Sequence, residues 1–99
     1  MQHNVFFWIK EEHKNEELIA EFEAGLNVIS KISNVTTGGW GKPAKVAPRP
    51  VVEDSYDYGL YCTFDNVAEH DAYQVHVDHQ AFLGRFKPLF ERVLVLDVE

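Results

Sequence analysis

The opening segment QHNVFFWI restricts the fold most, because it reads as a β-strand with two apolar faces. Successive side chains of a strand point to opposite faces of its sheet. Val5, Phe7 and Ile9 therefore share one face, and Phe6 and Trp8 share the other. Burial of apolar surface is the main favourable term in folding. Both faces of this strand must therefore be covered.

Residues 14–31 predict an amphipathic helix that follows this strand. Its apolar residues recur at spacings of three and four, which is the period of one helix face; they are Leu18, Ile19, Phe22, Leu26 and Ile29. Asn15 suits the N-cap, and the acidic residues after it suit the positive end of the helix dipole. Gly25 costs about 1 kcal/mol relative to alanine inside a helix. A glycine there is typical of a close backbone approach.

The rest of the chain divides into shorter segments with turn signals between them. Strands are predicted at residues 34–42, 56–64 and 92–99, and helices at 67–76 and 78–86. The proline-rich stretch PAKVAPRPVVEDS predicts an ordered loop within a small domain. This order of elements is that of the split βαβ arrangement. We predict an α+β, ferredoxin-like fold with a four-stranded antiparallel sheet and its helices on one face.

The length of 99 residues predicts one domain, residues 1–99, with a thin core. The face of the sheet opposite the helices is expected to carry some combination of the large apolar side chains of Phe6, Trp8, Tyr61, Val93 and Val95. A monomer rarely leaves such a patch in water. Two copies packed sheet to sheet would bury it with two-fold symmetry. We therefore predict a homodimer, a dimeric α/β barrel.

Composition excludes several classes of partner. Sixteen acidic residues against nine basic ones give a formal net charge of −7, which disfavours nucleic acid and anionic membrane surfaces. No apolar run approaches the ~20 residues that span a bilayer, and the N-terminus lacks the pattern of a signal peptide. Cys62 is the single cysteine, so no internal disulfide is expected. We expect a cytoplasmic protein in which Cys62 is a small buried hydrophobe.

Three stretches of sequence together resemble the stress-responsive dimeric α/β barrel (Dabb) family over essentially the whole length. They are HNVFFWIK, SYDYGLYCTF and AYQVHVDHQAFLGRFKPLFERVLVLDVE. The last carries the most specific residues, which are Tyr73, His76, His79, Phe82 and Asp97. The resemblance implies the same ferredoxin-like fold and the same dimer. The family usually has proline where this chain has Val77, and we expect Asp78 to cap the helix that starts there.

The resemblance implies several functions. Many members are stress-associated proteins of unknown biochemistry, a plant branch contains polyketide cyclases, and distant fold relatives include cofactor-free monooxygenases and muconolactone isomerases. In the cyclases a tyrosine and a histidine of the tail perform acid–base chemistry, and these match Tyr73 and His79. The histidine of the first strand matches His3. The cyclases carry a further histidine where this chain has Tyr58, which argues against a polyketide cyclase.

We weigh three functions. In the first, a pocket between helices and sheet holds a small apolar or aromatic molecule, with walls formed by Phe22, Leu26, Tyr58, Leu60 and Phe82. In the second, the chain is a cofactor-free enzyme with His79 as base, Tyr73 as hydrogen-bond donor and His3 nearby. In the third, the dimer is purely structural, and His79 and Tyr73 only close the end of a core.

Metal binding is the remaining question that the histidines raise. The spacing of His76 and His79 is that of an H-x-x-H pair, but a structural zinc site usually has four protein ligands. We therefore predict no metal and no cofactor, and interpret His76 as the joint between two short helices. His13 and His70 are predicted to lie on the surface.

Overall fold

The structure, a computed structural model, describes residues 1–99 and contains four strands and three helices. The strands are β1 Gln2–Ile9, β2 Thr37–Gly41, β3 Tyr58–Thr63 and β4 Phe90–Val98. The helices are α1 Glu16–Ile29, α2 Val67–Gln74 and α3 Val77–Phe86. Short 3-10 turns occur at Glu11–His13 and at Lys87–Leu89. None of the helices combines the length and apolar character needed to cross a bilayer.

The strands form one antiparallel sheet in the order β2-β3-β1-β4, and the helices cover one of its faces. The covered face carries Val5, Phe7 and Ile9 of β1, which are all buried. This is the predicted ferredoxin-like α+β fold. β2 is shorter than predicted, and β4 begins earlier, at Phe90.

The register of β4 corrects one prediction. Val95 lies opposite Val5, and Val93 lies opposite Phe7. Directly paired residues of antiparallel strands share a face, so Val93 and Val95 belong to the helix-covered face and not to the opposite one. The opposite face, here called the outer face, carries Asn4, Phe6, Trp8, Tyr61, Leu94 and Leu96. In the segment VLVLDV both the odd-numbered and the even-numbered positions carry apolar residues. Its sequence pattern therefore could not show which side chains point toward the helices.

The core is built around Phe22 of α1. Its ring is fully buried and lies in edge-on or tilted contact with five others, those of Phe7, Tyr58, Phe82, Phe86 and Phe90. Gly25, one turn further along α1, allows this helix to approach α3. A Cβ atom at that position would lie 2.7 Å from Cε2 of Phe86.

The helix starts follow local hydrogen bonding. Asn15 accepts from the backbone N–H of Leu18 at 3.0 Å, as predicted for the N-cap of α1. At α3 the prediction that Asp78 caps the helix is wrong. His76 is the N-cap, and its Nδ1 accepts from the N–H of Asp78 at 3.0 Å. Val77 consequently takes the first helical position, where proline is favoured, and His76 is confirmed as the joint.

Candidate functional site

A cavity of about 270 Å³ lies between α3 and the β1–β4 half of the sheet. From the sheet it is lined by His3, Val5, Phe7, Leu60, Val93 and Val95. From the helices it is lined by Ile29, Tyr73, Gln74, His79, Phe82 and Leu83, and Lys87 and Phe90 complete it. We call this space the helix–sheet cavity. Its walls are mainly apolar. The polar residues His3, Tyr73, Gln74 and His79 lie where β1 passes under α2 and the start of α3, whereas Lys87 follows the end of α3.

His79 is the polar group of α3 in this wall. It is only 8% exposed, and its Nδ1 is buried without any hydrogen-bond partner. Burial lowers the pKa of His79, and the positive charges that His3, His70 and His76 acquire on protonation lower it further. The imidazole is therefore neutral near pH 7. A buried ring nitrogen without a partner costs about 1–3 kcal/mol.

The lowered pKa of His79 makes stability depend on pH. In the unfolded chain the imidazole titrates near pH 6.5. Below pH 6.5 the unfolded state binds this proton more readily than the folded state does, so the free energy of unfolding decreases as pH falls. Above pH 6.5 neither state binds the proton, so His79 gives no further change in stability. We expect His79→Gln to abolish this loss, which cannot exceed about 1.4 kcal/mol per pH unit for one proton. Urea unfolding of both proteins at pH 7.5 and pH 5, at one protein concentration, measures it.

The contribution of His79 is the difference between the free energies of unfolding of wild type and His79→Gln, because other groups also titrate between pH 5 and pH 7.5. The free energy of unfolding of wild type minus that of His79→Gln should be smaller at pH 5 than at pH 7.5. A difference that is the same at both pH values would mean that His79 charges freely in the folded chain.

Tyr73 on α2 joins the two cavity histidines. Its ring centroid lies 6.1 Å from that of His3 and 4.8 Å from that of His79, in edge-on contact with both. Its hydroxyl contacts the buried Cys62 thiol, with 4.0 Å between Sγ and the phenol oxygen. Burial raises the pKa of Tyr73 above its ordinary value and that of Cys62 to about 11. Both groups are therefore protonated, and Cys62 is the small buried hydrophobe that the sequence predicted.

His3 lies at the same end of the cavity and is 3% exposed. Its Nδ1 contacts Oδ1 of Asp97, which β1–β4 pairing places directly across from it. His3 and His79 thus converge on one cavity with Tyr73 between them. The sequence alone does not predict that His3 and His79 converge, because their proximity depends on strand register.

Two of the five predicted wall residues line the cavity, Leu60 and Phe82. Phe22 and Leu26 are fully buried in the core instead. Tyr58 is buried too, and its hydroxyl donates to Oε2 of Glu23 at 2.7 Å; burial and this carboxylate raise its pKa. Apolar periodicity identifies residues that point inward. It cannot tell which of them border empty space.

His70 is the functional candidate that sequence reasoning missed. It was predicted to lie on the surface, but its side chain is only 16% exposed, and its ring centroid is 4.9 Å from that of His3. His70 precedes Tyr73 by three residues, so the two share a face of α2. This spacing of three residues was the sequence feature that could have predicted His70 on the same side of α2 as Tyr73.

Comparison with known proteins agrees with this fold. The sequence profile of the family described as the stress responsive A/B barrel domain (Dabb) matches residues 1–99. The chain belongs to the Dabb family. A search of curated protein sequences found no significant match.

Solved structures include similar chains of the Dabb fold. A Dabb family protein of ferredoxin-like fold from Mesorhizobium loti is 25% identical, with a TM-score of 0.76 over 99% of this chain and 93% of that one. A dimeric ferredoxin-like protein of unknown function from Jannaschia sp. CCS1 is 28% identical, with a TM-score of 0.75 over 99% and 96%. A hydroxynitrile lyase from Passiflora edulis is 21% identical, with a TM-score of 0.75 over 96% and 87%. At that identity the likeness to the lyase is one of fold alone.

Proposed function

We propose that this Dabb protein is a homodimer in which each subunit holds one small apolar or aromatic molecule in the helix–sheet cavity. The observation that carries the proposal is a mainly apolar cavity of about 270 Å³ whose wall includes the imidazoles of His3 and His79. Protein interiors are close-packed, so a purely structural core would not need such a space. A ligand with one polar group against an imidazole would form a hydrogen bond there and bury its apolar part.

The size of the cavity limits the ligand. A volume of about 270 Å³ is just below the ~300 Å³ at which pockets for drug-sized molecules begin. An engineered apolar cavity of ~150 Å³ in another protein holds benzene. We therefore propose a single aromatic ring, or an aliphatic chain of similar volume, with one hydroxyl or carbonyl group. Phe82 and Leu83 would contact its apolar part from α3, and Val93 and Val95 from the sheet.

The proposal of a dimer rests on the exposed apolar side chains of the outer face. Tyr61 is 45% exposed there and Leu96 is 51% exposed, beside the half-buried Phe6 and Trp8. Tyr56 packs edge-on against both Phe6 and Trp8 and widens the apolar surface. A patch of this kind is typical of an interface. The Jannaschia neighbour of the same fold is described as dimeric.

Cavity binding can be tested with phenol and toluene, followed by amide chemical shifts of the 15N-labelled chain. We expect both to bind wild type, with phenol preferred. His79→Leu should reduce the preference for phenol by about 2–10-fold, the equivalent of one neutral hydrogen bond of about 0.5–1.5 kcal/mol. Val95→Phe should weaken both ligands at least tenfold, because Val95 lines the cavity and a phenyl group would fill part of it.

Val75→Phe is the matched control. Val75 is exposed between α2 and α3 and does not line the cavity, so the same change in size should leave both affinities unaltered. The proposal fails if neither molecule shifts the resonances of cavity residues, or if Val95→Phe binds both as wild type does.

A second candidate is a cofactor-free acid–base enzyme with His79 as the base. It is favoured by the neutral state of His79, which can accept a proton at pH 7, and by the contact of Tyr73 with both cavity histidines. One neighbour of the same fold is an enzyme, the hydroxynitrile lyase. In this function Tyr73 would be the hydrogen-bond donor, since its hydroxyl oxygen accepts from the Cys62 thiol and its own proton is left to donate. His79→Gln separates the two functions: an enzyme loses turnover with affinity largely kept, whereas a binder has no turnover to lose.

A further inference from the structure

A second group of side chains meets beside the helix–sheet cavity, where β1, α2 and the end of β4 come together. His3, His70 and Asp97 each present one ligand atom, and these three atoms lie within 4.8 Å of one another. They come from three separate elements, so strand register and the docking of α2 assemble them. Two imidazoles and one carboxylate form a donor set that transition metals use in proteins.

His70 is already oriented as a metal ligand would be. Its Nδ1 lies 3.1 Å from Oδ1 of Asp71, an acceptor, so Nδ1 carries the proton. In the neutral ring Nε2 then carries the lone pair, and it lies 3.4 Å from Nε2 of Gln74, whose amide group donates. A carboxylate that fixes the tautomer of a histidine in this way is the usual support of a metal-binding imidazole, and a cation would take the place of the long Gln74 contact.

We propose that His3, His70 and Asp97 bind one borderline divalent cation such as Zn²⁺, with Asp71 as the group that orients His70. Zn²⁺ holds nitrogen ligands at about 2.0–2.1 Å, which places tetrahedral ligands about 3.3 Å apart. Since the three ligand atoms lie within 4.8 Å of one another, none of their separations needs to shorten by more than about 1.5 Å. Asp97 can supply the movement, because its side chain is 39% exposed.

The coordination would be that of an open site. Three protein ligands leave a fourth position of Zn²⁺ for water or for a small ligand. His3 also lines the helix–sheet cavity, so the cation would lie next to it. The H-x-x-H pair is a poorer site, since Nδ1 of His76 accepts the capping bond from Asp78 and Nδ1 of His79 is buried. This proposal does not rest on ligand binding in the cavity.

The test uses the untagged full-length chain, stripped with a chelator and titrated with ZnCl₂ in a calorimeter at pH 7.5. We expect one Zn²⁺ per chain, and visible bands typical of tetrahedral cobalt when Co²⁺ replaces it. His70→Ala should weaken binding more than tenfold. Asp71→Asn should weaken it by about 10–100-fold, as loss of a supporting carboxylate does elsewhere. Mg²⁺, which prefers oxygen ligands, should not compete.

His13→Ala is the matched control, because His13 also lies beside an acidic residue, Glu12, but at the other end of β1. It should bind Zn²⁺ as wild type does. If His70→Ala does not give the circular dichroism of the folded chain, Asp97→Asn replaces it, with the same expected loss. The proposal is overturned if wild type takes up no stoichiometric Zn²⁺, or if the folded variants of His70 or Asp97 bind it with wild-type affinity.

Discussion

Phe22→Ala is expected to lower the free energy of unfolding by about 3–5 kcal/mol, the range for loss of a buried phenylalanine. Phe22 is fully buried and contacts five other rings, so its removal leaves a void that α1, α3 and the sheet cannot close without moving. Domains of this size have about 5–15 kcal/mol of stability in all. The variant should therefore unfold at a much lower urea concentration, with an unchanged dependence on urea if it remains two-state.

The control for Phe22→Ala is Val75→Ala. Val75 is exposed, and the change should stay within about 0.5 kcal/mol of wild type. A loss below about 1 kcal/mol for Phe22→Ala would contradict its position at the centre of the core. It would favour the sequence-based expectation that Phe22 borders a ligand pocket, where truncation leaves no new void.

Leu96→Glu is expected to convert the proposed dimer into a monomer. Leu96 lies on the outer face, opposite Asn4 across the β1–β4 pair, and the substitution would enter a two-fold interface twice. An unpaired carboxylate that must leave water costs several kcal/mol. The dimer dissociation constant should therefore rise at least ~100-fold, since each 1.4 kcal/mol is a factor of ten. Light scattering coupled to size exclusion, at micromolar concentration, gives the mass directly.

Val75→Glu provides the matched charge change on the helix-covered side of the molecule. It should keep the mass of wild type. The outer face is not the interface if Leu96→Glu also keeps a dimeric mass, and no dimer exists to disrupt if wild type itself has the mass of one chain at this concentration.

These expectations differ in how far the sequence alone supports them. Phe22 was identifiable as a helix residue that points inward, because apolar spacing reports the direction of a side chain along a regular element. Leu96 was not identifiable as an outer-face residue, because Leu94 and Leu96 alternate with equally apolar Val93 and Val95. Only pairing with β1 distinguishes the two sets.

The sequence by itself determined the order of elements, the ferredoxin-like class, the family and the position of His76 at the joint between two short helices. Each of these depends on local patterns or on residues near one another in the chain. The tertiary structure decided which inward residues border the cavity and which histidines meet. His3 and Asp97 are 94 positions apart, and His70 reaches them from a third element. Such contacts follow from strand register and helix docking, which are set by packing of the whole core and not by any segment alone.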